Sequence, residues 1–450
     1  MVRFRANRSL PFQLDLYLVL AIGMLCVLWA AGGASRPDAA GQAVVRFAAW
    51  LTLIAALIFG RKPDLRRMWP LGSLLIAIAL LPTIQLIPLP PNWWQALPGR
   101  DLLLIPGESS IPWRPLTMTP GATRNALAAL IVPVAMFAVL AQRDDRTESV
   151  LPSILLWMVI TAVMLGLFQF SGAPFNNPLL NDTPGEVSSI FANRNHFALF
   201  IAIGCVIAPV WCVTARPVSL VRLCCAAGLV LLFLLAIIAT GSRAGIVLGL
   251  LGVAARLILA WPRLRQRLAE MHRLALPAFA TLLLMVCTVT VALSIVTGRA
   301  SSIKRLTALD VDGDMRSRAF PTVVEMIKAY MPFGSGFGGF DNIFRAHEPF
   351  ALLKFTYFNQ AHNDYLGIAL DGGIPALTVF VAALAWWGLQ TFWLWQKKGN
   401  DQVMRGRMGS AIILLVLISS LTDYPSRTPL IMATLVIASV WMMRGCQRAA

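Results

Sequence analysis

Three arginines stand among small and polar neighbours in a chain that is otherwise strongly apolar: Arg194, Arg243 and Arg316. Arg243 lies within residues 240–245 (Thr-Gly-Ser-Arg-Ala-Gly), whose small side chains allow a bulky ligand to approach. A guanidinium stays charged at physiological pH, and its planar fork of N–H donors matches the oxygens of a phosphate. As a set, the arginines predict a phosphate site. Each one alone is equally explained as a side chain reaching lipid headgroups or water.

The composition identifies the kind of protein that must position these arginines. Of 450 residues, 58% are hydrophobic and 13% charged, against about 25% charged in a typical soluble protein. Soluble globular, disordered, collagen-like and coiled-coil chains are excluded, and an all-α membrane protein is predicted. The net charge of +17 comes from Lys and Arg clusters between apolar runs, so we expect no nucleic-acid partner. The seven cysteines indicate neither disulfides nor a zinc site.

A window of about 19 residues finds twelve candidate membrane spans. They cover residues 14–31, 43–60, 71–89, 125–141, 150–170, 196–213, 219–239, 243–261, 274–296, 365–395, 409–421 and 428–443. The first span is either a signal peptide or a retained helix. Its length and the spans after it favour the retained helix.

The loop charges predict the orientation of these spans. With the basic N-terminus in the cytoplasm, every short cytoplasmic loop contains Lys or Arg, whereas the opposite loops contain few. Both termini are therefore expected in the cytoplasm, with the longer segments 90–124, 171–195 and 297–364 outside. We divide the chain into spans 1–9 (1–296), a long external loop (297–364) and spans 10–12 with the C-terminus (365–450).

The external segments contain patterns with competing interpretations. The Pro- and Trp-rich residues 87–94 favour a segment lying at the membrane interface, and the alternative is the wall of a lipid or sugar groove. Phe320–Tyr330 has the spacing of an amphipathic helix, which the Gly-rich turn 334–339 ends. That turn satisfies G-x-G-x-x-G but follows a helix instead of a strand, which argues against a dinucleotide site. The acidic run Asp310–Asp314 looks like the start of a calcium loop, but the sixth position is Met315 instead of Gly and the twelfth is Pro321 instead of Glu, so no metal site is predicted.

Several short strings stand out along the chain: residues 191–198 (FANRNHFA), 241–245 (GSRAG), Arg316 with 332–338 (PFGSGFG), and 361–366 (AHNDYL) with 371–375 (DGGIP). Together they resemble the O-antigen ligase and O-antigen polymerase superfamily of bacterial inner-membrane glycosyltransferases. Their order and their shared external side make the resemblance specific over roughly residues 190–380. Arg318 is a second candidate beside Arg316, and the spacing to Pro332 favours Arg316.

The resemblance implies a GT-C-like protein of about twelve transmembrane helices in the bacterial inner membrane, with a long, partly helical periplasmic loop before the tenth span. It implies transfer of a glycan from undecaprenyl diphosphate to a hydroxyl acceptor at the periplasmic face, with inversion and without a metal, cofactor or nucleotide sugar. Arg243 and Arg316 are suited to hold the departing diphosphate, whose charge grows in the transition state.

Within this resemblance, His362 is the candidate general base, because the acceptor hydroxyl must lose a proton and a neutral imidazole accepts one near pH 7. His196 is the reserve candidate. Asn363 and Asp364 either orient the imidazole or acceptor, or, for Asn363, cap the next helix. Arg194 and Asn195 complete the set of supporting residues.

The acceptor separates two functions within the superfamily. A ligase joins a finished glycan to lipid A-core, whereas a polymerase joins it to another lipid-linked repeat of O-antigen, capsule or exopolysaccharide. No residue decides between them. A transporter or flippase is the alternative of another class, but such proteins place ionisable residues near the bilayer midplane and often contain repeats, which this sequence lacks.

Overall fold

The computed structural model describes residues 16–60, 65–104, 112–142, 145–172, 175–181, 185–214, 220–269, 315–353 and 358–447. The described chain is a bundle of α-helices with one two-stranded antiparallel pair, in which Pro88–Leu89 (β1) faces Arg114–Pro115 (β2). The predicted ninth span, 274–296, and the acidic run Asp310–Asp314 lie outside the described residues.

The helices of the described ranges are mostly joined by short connections. In chain order they are α1 (Leu16–Ala31), α2 (Ala40–Phe59), α3 (Leu65–Gln85), α4 (Pro91–Gln95), α5 (Pro120–Ala129), α6 (Ile131–Leu140), α7 (Asp145–Phe170), α8 (Arg194–Thr214), α9 (Leu220–Thr240), α10 (Arg243–Ala269), α11 (Met315–Tyr330), α12 (Phe340–His347), α13 (Asp364–Gln396), α14 (Asp401–Ser419) and α15 (Pro429–Gln447). Longer segments precede α5, α8, α11 and α13. Short 3-10 turns cover Arg100–Leu103, Phe350–Leu352 and Pro425–Arg427.

Eleven of the twelve predicted spans coincide with described helices. Seven helical segments are long and apolar enough to cross a membrane, and four shorter apolar helices lie in α1, α8, α9 and α10. The prediction of an all-α membrane protein is therefore confirmed, while the total of twelve spans stays a prediction.

Some helix ends differ from the sequence prediction for local reasons. The third span ends at Gln85, because Pro88 and Leu89 pair with β2. The helix of the eleventh span starts at Asp401, before the predicted start at residue 409. The Asn400 side chain caps this helix, because it accepts hydrogen bonds from two backbone N–H groups of the first turn. The external helix α11 is also longer than predicted and already includes Met315.

The centre of the bundle is formed by α8, α14 and α15. Of the apolar windows, 83% of that in α15 and 67% of that in α14 are buried, and residues 197–208 of α8 are buried without interruption. Glycine allows the two C-terminal helices to approach closely, since a Cβ on Gly409 would meet the backbone carbonyl of Ala438. The loops at the ends of α8, α14 and α15 are therefore attached to a closely packed core.

The helices α11 and α12, here called the external layer after the predicted external loop, have a small apolar core of their own that includes Leu370 of α13. Phe340, Phe344 and Phe358 pack with ring centroids 5.2–5.8 Å apart. The Gly-rich turn 334–339 lies against a bend of α13 at Gly373, whose φ is +57°. There Gly336 N–H donates to the carbonyl oxygen of Asp371 at 3.0 Å. The external layer is thereby attached to the helix that follows the predicted base.

We predict that Gly409→Ala destabilises the bundle by about 1–3 kcal/mol. The added methyl group would meet the carbonyl oxygen of Ala438, and the backbone of α15 cannot move aside as a flexible side chain could. The matched control is Gly388→Ala in α13, where a Cβ would have no neighbour within 4 Å. Thermal unfolding of both variants in detergent measures the difference. Equal melting temperatures would show that α14 and α15 do not pack at this distance.

Candidate active site

Three helix starts meet at one end of the bundle, here called the loop face, which also carries α11 and α12. The helix α8 begins after Asn193, α10 begins after Ser242, and α13 begins after Asn363. The turn 420–424, which follows α14, lies among them. Because helix N-termini carry partial positive charge and unpaired N–H groups, this meeting favours a negatively charged group at the loop face.

The carboxylate of Asp423 is a negatively charged group at this position, and its side chain is only 1% exposed. Its Oδ2 accepts hydrogen bonds from Asn195 Nδ2 at 2.7 Å and from Asn193 Nδ2 at 3.0 Å. Its Oδ1 accepts the backbone N–H of Tyr424 at 3.0 Å. Three neutral donors thus satisfy a charge that would be costly to bury alone.

Two histidines and one arginine complete the surroundings of Asp423. Its Oδ1 lies 3.4 Å from His362 Nδ1 and 3.7 Å from His196 Nε2, and its Oδ2 lies 3.7 Å from Arg316 Nη2. Burial alone would raise the pKa of Asp423. The two neighbouring imidazoles and the charge of Arg316 nevertheless hold this pKa well below its usual value, so the carboxylate stays ionised.

His362 is held in a strained backbone conformation directly before α13. Its φ of +48° is in the left-handed region, which non-glycine residues rarely adopt and which is common at functional sites. Asn363 stabilises this conformation, since its Oδ1 caps α13 at Leu366 N–H and its Nδ2 donates to the carbonyl oxygen of Leu421 at 2.9 Å. Asn363 is therefore a cap that also joins His362 to the turn carrying Asp423.

The environment of His362 favours a neutral imidazole. Burial lowers the pKa of His362, and the nearby charge of Arg316 lowers it further, against the opposite effect of Asp423. Because Nδ1 faces a carboxylate, it carries the proton, which leaves Nε2 with a lone pair. With a side-chain exposure of 17%, His362 can act as a proton acceptor for a bound group.

The arginines named from the sequence have different neighbours. Arg316 lies on Asp423 and donates to the carbonyl oxygen of Thr422 at 2.8 Å, with 36% of its side chain exposed. Arg318 donates instead to the carbonyl oxygen of Ala351, in a 3-10 turn of the external loop. Arg194 pairs with Glu186 at 3.1 Å. Of these three, Arg316 shares the carboxylate of Asp423 with the predicted base.

Arg243 begins α10 at the same loop face and its side chain is exposed. The residue before it, Ser242, caps α10 by accepting the N–H of Gly245 at 3.0 Å, and its hydroxyl donates to Asn195 Oδ1 at 2.8 Å. Asn195 in turn donates to Asp423. The start of α10 is therefore connected to the site through two hydrogen bonds.

A second group of charges supports the site from below. Arg427 Nη2 donates to Asp371 Oδ2 at 3.1 Å, and its Nε lies 3.8 Å from Asp364 Oδ1. Asp364 Oδ2 accepts the Ser420 hydroxyl at 2.9 Å. The carboxylate of Asp364 thus fixes residues 420–427, here called the Asp423 turn, to α13. It contacts Ser420 and Arg427 instead of orienting the His362 ring.

Sequence reasoning missed Asp423, the residue that joins the site. It lies between the last two spans, far from the strings at residues 190–380, and no motif surrounds it. One signal was present: Asp423 is an acidic residue in a very short connection between apolar helices, in a chain with only 21 acidic residues. Such positions are expensive to ionise and therefore indicate function.

Within the described ranges, no group of three or more His, Cys, Asp or Glu residues is arranged to hold a metal ion.

Comparison with protein families identifies part of the chain. A family model described as O-antigen ligase matches residues 228–381, about a third of the sequence. The matched stretch contains Arg243, Arg316 and His362, and it ends before Asp423. None of the curated proteins compared with the chain matches it. The superfamily predicted from the motifs is confirmed by the family match.

We predict that Arg427→Gln destabilises the protein by about 2–4 kcal/mol, because it leaves the buried carboxylates of Asp364 and Asp371 without their cation. The control is Arg345→Gln, which breaks an exposed pair with Asp341 and should cost at most about 1 kcal/mol. Thermal unfolding in detergent compares the two. Similar losses would contradict the supporting role of Arg427.

Proposed function

We propose that this chain, a member of the O-antigen ligase superfamily through its residues 228–381, transfers a glycan from undecaprenyl diphosphate to an acceptor hydroxyl. The family match and the apolar helices support a multi-pass membrane protein of the ligase and polymerase glycosyltransferases. The observation that carries the finer proposal is the position of His362 and Arg316 on the one buried carboxylate of Asp423. In such an arrangement the base can accept the proton of the attacking hydroxyl, and the cation can stabilise the departing diphosphate.

His362 acts as the general base in this proposal. Its Nε2 takes the proton of the acceptor hydroxyl as the oxygen attacks the anomeric carbon. Asp423, which faces Nδ1, stabilises the imidazolium that results. The strained backbone of His362 and the cap by Asn363 support a fixed ring position, which such proton transfer requires.

The departing diphosphate is stabilised by cations at the loop face. Arg316 is partly exposed beside the base, and Arg243 is exposed at the start of α10. The N-termini of α8, α10 and α13 add partial positive charge in the same region. As the bond from the anomeric carbon to the diphosphate oxygen breaks, this field stabilises the growing negative charge without a metal ion or nucleotide sugar.

A single displacement with inversion follows from these assignments. The acceptor oxygen forms its bond to the anomeric carbon on the face opposite the departing diphosphate, and the proton goes to His362 instead of the leaving group. The protein lies in the bacterial inner membrane in this proposal, with both termini in the cytoplasm and the loop face in the periplasm, as the loop charges indicate.

We propose a ligase that acts on lipid A-core, with a polymerase of O-antigen, capsule or exopolysaccharide repeats as the second candidate. Both use the same donor and the same chemistry at the anomeric carbon. Their difference lies in the acceptor.

We predict that His362→Ala and Arg316→Ala each lower glycan transfer at least about a hundredfold, because one removes the base and the other a cation at the leaving group. Arg243→Ala is expected to have a similar effect. The assay uses purified protein, a lipid-diphosphate glycan donor and EDTA. Arg318→Ala, on the same helix as Arg316, should stay within a few-fold of the unchanged protein.

Full activity of His362→Ala would remove this histidine from the mechanism. Loss of activity in EDTA, restored by one divalent ion, would contradict the metal-independent reaction. A larger loss for Arg318→Ala than for Arg316→Ala would assign the diphosphate to the other arginine.

Deletion of the gene in its bacterium separates the two acceptors. We predict that full-length polymer accumulates on the carrier lipid, because a ligase acts after the chain is complete. Mass analysis of the lipid-linked glycan measures this. Accumulation of single repeats would instead assign the polymerase function.

A further inference from the structure

Two imidazoles share one oxygen of Asp423, yet their surroundings are unequal. Both His362 Nδ1 and His196 Nε2 face Oδ1, at 3.4 and 3.7 Å. His362 is partly exposed, whereas His196 is 1% exposed and is the third residue of the buried helix α8. An acceptor hydroxyl can reach the first ring but not the second, so His196 does not act as the base.

We propose that His196 is a positioning residue that donates its Nε2–H to Asp423 and thereby limits how strongly this carboxylate attracts a proton on His362. The proposal rests on the proposed function, in which His362 is the base. It assigns His196 an effect on the pH range of the reaction instead of a contact with substrate.

Asp423 determines which nitrogen of His196 carries the proton, and Thr428 accommodates the resulting tautomer. Its hydroxyl oxygen lies 3.0 Å from His196 Nδ1, and Thr428 is fully buried. With the proton on Nδ1, a lone pair of Nε2 would face the carboxylate of Asp423, which is repulsive. The favourable arrangement has Thr428 donating to Nδ1 and Nε2–H donating to Asp423.

Tyr424 packs against both rings. Its ring meets His196 edge-on at 5.3 Å and His362 at 65° with centroids 5.0 Å apart. The described charged groups that act on His362 are Asp423, which favours its protonation, and Arg316, which disfavours it. A charge on His196 would also disfavour protonation of His362, so the two imidazoles act on each other in the same direction as the proposal requires.

Both ring nitrogens face the same carboxylate oxygen, at 3.4 Å for His362 and 3.7 Å for His196. The partial positive charge of an N–H group on His196 offsets part of the negative charge of Asp423, and this weakens the attraction of Asp423 for an imidazolium at His362. This keeps His362 neutral, and active as a base, to lower pH. Without the donor at position 196, the pKa of His362 should rise.

The test compares His196→Leu, which removes the donor, with His196→Gln, whose amide nitrogen can replace Nε2–H. The pH dependence of kcat/KM for the lipid-diphosphate donor is measured with the full-length purified protein. The base must be neutral, so activity falls on the acid side as His362 is protonated. In His196→Leu this acid limb should move to higher pH by roughly half a unit to one unit. His196→Gln should keep the original limb.

His347→Leu is the matched control, because this histidine also packs edge-on against a tyrosine, Tyr330, with ring centroids 5.6 Å apart and within the external layer. Its limb should not move. An unchanged limb in a folded His196→Leu variant overturns the inference, as does an equal shift in His196→Gln or in the control. These outcomes differ from failure of the proposed function, which would appear as full activity of His362→Ala.

Discussion

The buried charge of Asp423 is the constraint on which the loop face depends. Removing a carboxylate from water costs several kcal/mol unless donors replace the solvent. Here the donors include Asn195 in the first turn of α8 and the backbone N–H of Tyr424. His362, two residues before α13, and Arg316 of α11 lie beside the same carboxylate. These segments are far apart in sequence. They must therefore fold around one oxygen pair before the charge is stable, and the same requirement brings a histidine and an arginine together.

The site is held by a second set of charges that does not need to meet a substrate. Arg427 joins the end of the Asp423 turn to Asp371, and Asp371 also accepts the N–H of Gly338 from the Gly-rich turn at 3.2 Å. The bend of α13, the turn of the external loop and the Asp423 turn are thus parts of one hydrogen-bonded unit. Asp364 and Asp371 therefore hold the segments around the site in place, and Asp423 is the carboxylate that contacts the proposed base.

Most helices could be predicted from the sequence, because an apolar run is local information and a bilayer requires about 20 such residues. Their ends depended on contacts outside the run, as at Gln85 and Asn400. The partial site could also be predicted, since Arg316, His362 and Asn195 lie in recognisable strings. Asp423 could not, because its partner His196 is more than 200 positions away and pairing over that distance leaves no periodic pattern.

The positions of the buried charged residues favour a reaction at the loop face over transport through the bundle. In the described residues, Asp423, Asp364, Asp371 and His196 gather at the loop face, while Arg444 pairs with Glu148 toward the other end of the bundle. Between them, α8 contributes an uninterrupted buried apolar stretch. A transporter needs ionisable groups near the midplane to carry its cargo across. The proposed transferase needs them where a lipid diphosphate and an acceptor meet, and the position of these charges at one end of an apolar bundle agrees with that requirement.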